Sequence, residues 1–450
     1  MNKPFLQRAR TEAETALIER FDQGDRRLVG ATDLRVQAMR RFAEAGLPNR
    51  RVEAWHYTDL RSAMRTAALV RAPEAATLPM ARECLKKPQA QSDACRFVIF
   101  NGVYSEELST AGPLPEGVSV LSLAAALAAG DAEILDALKA ETPGEGDAIV
   151  ALNTALMQDG VVIRVAPGAR VARPLAILNL MSGGFAQAAF LRSVLIVGAG
   201  ASVMLDEVTA VCAPDATQAN EALTVIVGDG ARVDYAAQVV EQGAQSVALH
   251  SLFVVMGANA QFNGFCLTPC AGLVRRQIFA RMNGEHSTIS LGGLSLLRGK
   301  EHADTTLVID HAVPNCVSRE FFRHILEDES TGVFQGKVVV RQHAQKTDGG
   351  MKSQAIVLGE DASMNNKPEL EIFADDVVCG HGATVGQLDD DQIFYLRARG
   401  LSRGEAESLL LEAFANEALD MIADESVRAR FALQSGAWLS GRHSAGESGR

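Results

Sequence analysis

At 450 residues, 47% of them hydrophobic, the chain can bury the cores of two or three domains; its net charge of −12, with no dense Lys/Arg block among aromatics, argues against a nucleic-acid or anionic-membrane partner. The opening MNKPFLQRARTEAE lacks the apolar core of a signal peptide, and no uncharged apolar run approaches the roughly eighteen residues of a membrane span. Seven cysteines without a CxxC pair do not make a disulfide framework, so the expectation is an acidic cytoplasmic protein in a reducing compartment.

From Phe5 to about Gly46, Ala16, Leu17 and Phe21, then Leu34, Met39 and Phe42, recur at three- and four-residue intervals, a spacing that predicts two helices. Pro48 stops the second. In the phrase EAWHYTDL, Trp55 and Tyr57 are large enough to anchor this arm on the body of the protein. Thr77 to Gln91 reads as loop, Arg96–Tyr104 as a strand, and Ser122–Lys139, rich in Ala and Leu, as helix. Residues 1–146 form an N-terminal helical and mixed region.

From Asp147 the period changes. Runs such as VVIRV, AFLRSVLIV, ALTVIV and KVVVRQ are separated by short Gly-containing breaks, with no helix expected before residue 388. A corner signature recurs in APGARV, GAGASV, GDGARV, GANAQF and NGEHSTI, placing Ala169, Ala201, Ala231, Ala260 and Ser287 at steps of 32, 30, 29 and 27. A coiled parallel stack satisfies such a repeat, because each turn buries its inward side chains against its neighbours; a β-sandwich needs no corner at a fixed period. Residues 147–388 are therefore expected to form a parallel β-helix. Its open ends need covering, which suits the helical flanks as caps or docking arms.

Residues 389–439 are expected to be helical. Asp391–Arg399 and a second helix opened by the capping box Ser402–Glu405 make a hairpin hinged at Gly400. The face of Leu411, Phe414, Ala418, Met421 and Ile422 either packs on the chain's own β-helix or binds a partner. The tail 440–450 is expected to be disordered.

No GxSxG, P-loop, HExxH or paired-cysteine zinc spacing occurs, and VGAGAS at Val197–Ser202 is a repeat corner rather than a dinucleotide fingerprint. Cys266 and Cys270 read as core or corner residues. Cys379 and His381 differ, because in a strand positions i and i+2 share a face, so CGH sets a thiol beside an imidazole with only glycine between. That pair suits Fe(II) or Zn(II), completed by a second shell or another chain; a buried cysteine beside a hydrogen-bonded histidine is the plainer alternative. His302, His311, His324 and His343 lie on the preceding turns. A β-helix enzyme is disfavoured, since Asp375 and Asp376 are adjacent and point to opposite faces.

The run from Lys367 to Phe414, with EAWHYTDL, ALNTALMQDGVVIRV, DHAVPNCVSREFF and GVFQGKVVVRQHAQKTDGG, resembles the SufB/SufD family of iron–sulfur cluster assembly proteins over nearly the whole chain. The resemblance is to the SufD side: no cysteine lies between Cys316 and Cys379, and Gly382 follows His381 where SufB-like chains carry glutamate. It implies a mainly β protein, a right-handed parallel β-helix with N- and C-terminal α-helical segments, acting as a non-enzymatic scaffold. The implied partners are a SufB-like paralogue, met through the β-helix, and a SufC-like ATPase, met through the C-terminal helices from about Asp391 to Ile422 at Phe394, Tyr395, Leu410 and Phe414. His381 corresponds to the histidine of the family's C-[SG]-H-G-A-T motif, placed where iron enters the SufB–SufD interface, and Cys379 to its cysteine. No cofactor is expected to be held tightly by this chain alone; iron or a nascent cluster belongs to the complex, and the isolated chain can pair as a homodimer. A purely structural partner that positions the ATPase is the alternative.

Overall fold

The computed structural model describes residues 9–23, 30–87, 93–110, 112–139, 144, 146–213, 215–240, 243–269 and 272–447. Phe5 and Cys270 lie outside them. The repeat read from the sequence is one turn of a parallel β-solenoid. Two ten-stranded sheets face each other across its axis, and the chain alternates between them, so that Ser202–Ala213 pairs with Arg232–Val240, then Gln261–Thr268, Thr288–Leu297 and onward to Val378–Gly386. Inward side chains from both sheets, including Leu205, Val233, Phe262, Ile289, Leu307 and Phe334, fill the axis.

The corner signature has a conformational cause. Gly168, Gly200 and Gly230, and then Asn259, His286, Asn315 and Lys346, all have positive φ, between 55° and 73°. Each precedes a corner residue, from Ala169 through Ala201, Ala231, Ala260 and Ser287 to Cys316 and Thr347. Glycine adopts that conformation at no steric cost and Asn at little, so the chain turns sharply there. The small residue that follows is buried from Ala201 onward. The amides of Ser202, Arg232, Gln261, Thr288, Val317, Asp348 and Val378 then donate to the corner carbonyls of the turn before at 2.8–3.0 Å. The period thus outlasts its visible signature by two turns.

The helices are α1 (Glu12–Asp22), α2 (Thr32–Ala45), α3 (Leu60–Ala63), α4 (Leu78–Cys84), α5 (Leu123–Ala128), α6 (Ala132–Leu138), α7 (Ala148–Leu156), α8 (Asp390–Arg397), α9 (Arg403–Leu419) and α10 (Glu425–Glu447). Four differ from expectation. The loop foreseen at Thr77–Gln91 contains α4, because Pro79 falls in the first helical turn, where its missing N–H removes no intrahelical bond. The single helix foreseen at Ser122–Lys139 divides at Gly130, whose φ is +69°. The segment after Asp147 begins with α7 rather than a strand: Asp147 caps it through the amides of Ile149 and Val150, and its nearly continuous apolar surface is buried on most sides. The tail foreseen as disordered from Ser440 continues α10 to Glu447, since Trp438 and Leu439 pack on the solenoid and Arg442 bonds Glu327 at 2.9 Å. Residues 448–450 lie outside the described chain.

These helices cover faces of the solenoid and leave its last turn open. Helices α1, α2 and α7 pack on one sheet around Phe42, Leu152, Phe190 and Leu249. Helices α9 and α10 pack on the other, burying Leu411, Ala418, Ile422 and Phe431 against Phe265, Leu294 and Ile325. The first turn is closed differently, by antiparallel strands: Val118–Ser122 on Val161–Val165, and Val103–Ser105 on Cys95–Phe100. Trp55 is the buried anchor of the N-terminal arm, its Nε1 donating to Asp147 at 3.0 Å, while Tyr57 is only half-buried. Among the described residues no helix is long and apolar enough to cross a membrane.

Candidate functional site

The last turn consists of Ser363–Ile372 and Val378–Gly386, the terminal strands of their sheets. Each pairs on one side only, so the other side presents a row of unbonded backbone groups. Around this edge Val378 is 72% exposed, Phe373 60% and Val385 53%. An apolar rim on an open parallel edge is a template for another chain.

Cys379 and His381 sit in this terminal rung on the solenoid's inner face. Cys379 lies over Gly349 and packs partly against the axial core; a Cβ at Gly349 would stand 3.5 Å from both the Cys379 sulfur and the Ser318 hydroxyl. A larger side chain there would push the thiol out of the stack. His381 is exposed and follows Met351 and Glu320 in one column, a rung each. Burial raises the Cys379 pKa above the ordinary thiol range, the Gly349 backbone acts against that, and Asp348 and Glu320 push it further up. The thiol is therefore protonated at neutral pH, and a metal binding it must displace that proton.

Glu320 and Met351 were not foreseen. The Glu320 carboxyl is buried in the axis, and that burial raises its pKa to about 8 against the opposing pull of Ser318 and Arg319. Met351 lies thirty residues before His381 and Glu320 thirty-one before Met351, so the repeat points to Met351 while Glu320 needs the strand register. The other histidines are not gathered here. His302 bonds the Thr58 hydroxyl at 2.9 Å beneath the N-terminal arm, His311 and His324 are buried in the solenoid, and His343 is exposed. Among the described residues no group of three or more His, Cys, Asp and Glu side chains is arranged to hold a metal ion.

The C-terminal residues divide by exposure. Phe394 and Tyr395 on α8 are 73% and 56% exposed, with Arg399 stacked on the Tyr395 ring. Leu410 is half-buried. Phe414 is drawn into the solenoid contact, its ring 4.2 Å from the Arg323 guanidinium and its carbonyl accepting from the same side chain. Leu409, exposed beside them, was not foreseen.

A family described as SUF system FeS cluster assembly, SufBD core domain, matches residues 179–414, and the SufBD protein N-terminal region matches residues 22–177. The chain belongs to the SufBD family. It is 31% identical to the iron–sulfur cluster assembly protein SufD of Escherichia coli, over 90% of this chain and 92% of that protein. It is 29% identical to an iron–sulfur cluster assembly SufBD family protein of Synechocystis, over 85% and 86%. A SufBD-family core matched from Asn179 to Phe414 spans most of the solenoid, its open end, α8 and most of α9.

Proposed function

We propose that this chain is the SufD-like scaffold subunit of a complex that assembles iron–sulfur clusters. Its open last turn pairs with that of a SufB-like paralogue, and its C-terminal helices carry a SufC-like ATPase. The observation that carries the reading is the placement of exposed His381 and half-buried Cys379 in the terminal rung of an unpaired, apolar-rimmed edge. A paralogue continuing the solenoid would complete the ligand set that this chain does not assemble alone, with iron arriving as substrate. Cys95, Cys266, Cys316 and Cys379, free thiols among the described residues, fit a reducing, cytoplasmic setting. Without the paralogue, the same edge pairs two copies of this chain.

The test is co-purification with SufB and SufC partners, wild type beside His381→Ala, followed by anaerobic iron and sulfide quantitation. Both complexes are expected to form and only the wild type to gain a cluster, because an exposed imidazole can be removed without opening a core. Equal loading would assign the metal chemistry to the paralogue and leave this chain a structural partner. That second reading has its own support, since among the described residues no group of three or more donor side chains gathers at the rung.

The ATPase contact is tested by Phe394→Ala with Tyr395→Ala. Loss of two exposed aromatic anchors is expected to weaken ATPase binding by about 2 kcal/mol or more, roughly thirtyfold in Kd, while paralogue binding persists. Unchanged ATPase affinity would move the contact elsewhere.

A further inference from the structure

Between the outer face of one sheet and helices α2, α6 and α7 lies a cavity of about 400 Å³. Arg192, from strand Gln187–Val197, lines it and is only 4% exposed. Its Nη2 donates to the Thr224 hydroxyl at 3.1 Å, and its guanidinium lies 4.7 Å from the centre of the Phe253 ring. Nε and Nη1 meet no acceptor among the described residues. Arg275 and Arg323, buried likewise, and the partly buried Arg430 each face a carboxylate, of Asp304, Glu417 and Asp206 respectively. Among the described residues Arg192 faces none, and burial alone lowers its pKa to about 10. A guanidinium taken out of water without a counter-ion is among the least favourable groups a fold can hold.

The carboxylates on the cavity wall do not supply the missing charge. Asp147 already accepts from Trp55 and Gln277, both at 3.0 Å, and caps α7. Asp33 is exposed at the rim. Among the described residues, Arg192 is the buried lining cation that faces no carboxylate, and a single negative charge would balance it. Leu34, Ala38 and Val150 make an apolar wall beside it. We propose that this cavity binds a small organic monocarboxylate, whose carboxylate pairs with Arg192 while a short aliphatic tail lies against Leu34, Ala38 and Val150. A phosphate dianion suits the site less well, having twice the charge that Arg192 balances and no tail for the apolar wall. Nε and Nη1 are buried in the unliganded chain, so pairing with the carboxylate requires the guanidinium to turn about its distal bonds.

Isothermal titration of the full chain with butyrate, butan-1-ol and inorganic phosphate tests this, using wild type, R192M and A38W. Butyrate is expected to bind wild type saturably, butan-1-ol not at all and phosphate more weakly, with butyrate affinity falling about tenfold or more in both variants. A38W keeps the arginine and fills the apolar wall, so it decides the matter should R192M fail to fold. Absence of saturable butyrate binding to wild type, equal binding by the variants that fold, or tighter binding of phosphate overturns the proposal.

Discussion

Replacing Arg275 with methionine is expected to destabilise the protein by about 3–5 kcal/mol, because it strips the cation from a buried carboxylate. Arg275 is fully buried, pairs with Asp304, donates to the Ala54 carbonyl at 2.6 Å and lies 3.8 Å from the centre of the Trp55 ring. Asp304 also accepts from Thr58 and, at 2.9 Å, from Thr306. One side chain therefore joins the EAWHYTDL arm to two rungs of the solenoid. Without it the Asp304 charge stays buried, and the two hydroxyls do not replace a guanidinium. Urea unfolding would show the loss as a lower midpoint at unchanged slope. The double variant R275M/D304N should recover much of it, since removing both partners leaves no orphaned charge. A loss below about 1 kcal/mol in the single variant would mean the arm is held mainly by its apolar contacts.

Glu320→Gln is expected to change how stability depends on pH. Burial holds the Glu320 pKa at about 8 in the fold, against 4.5 for the free side chain. Below pH 4.5 both states carry the proton and folding is not penalised. As pH rises from 4.5 to 8 the unfolded chain releases its proton while the folded chain keeps it, so stability falls, by roughly 5 kcal/mol at most. His311 and His324 act in the opposite sense. Burial lowers them to about 4 and about 3, with Asp310 pulling His311 back up, so both remain neutral in the fold. Their contribution is complete above pH 6.5 and is lost as pH falls toward 4 and 3, where the unfolded state takes up protons first. Wild-type stability should therefore peak near pH 6.5 and decline on both sides. E320Q should keep the acid limb and lose the alkaline one. Urea midpoints measured from pH 4 to 9 would decide it, and parallel curves for the two proteins would rule out a neutral Glu320 in the fold.

The geometry of the candidate site was legible where residue spacing and strand conformation coincide. The i, i+2 spacing of Cys379 and His381 requires only a strand, and the strand is there. Met351 and Glu320 became visible only through register, because they share a column with His381 one and two rungs away, thirty and sixty-one residues back in the chain. The α9 face of Leu411, Ala418 and Ile422 was legible as apolar, but whether it covered the solenoid or awaited a partner depended on where α9 lay. Helix α7 was missed because a segment buried on most sides shows no polar face to set its period; Asn153, buried within it, spends its amide on the carbonyls of Leu191 and Asn220.

Sequence alone determined that the chain coils with a period near thirty, since glycine or asparagine before a small residue marks a turn no bulky pair makes easily. It also determined that a thiol and an imidazole share one face of a strand. The tertiary structure decided which face of each helix is covered, which solenoid end stays open, and which buried charges find partners. Those outcomes depend on distances between residues far apart in the chain: Arg275 meets Asp304 across one turn, while Arg192, on the same sheet, meets no carboxylate among the described residues.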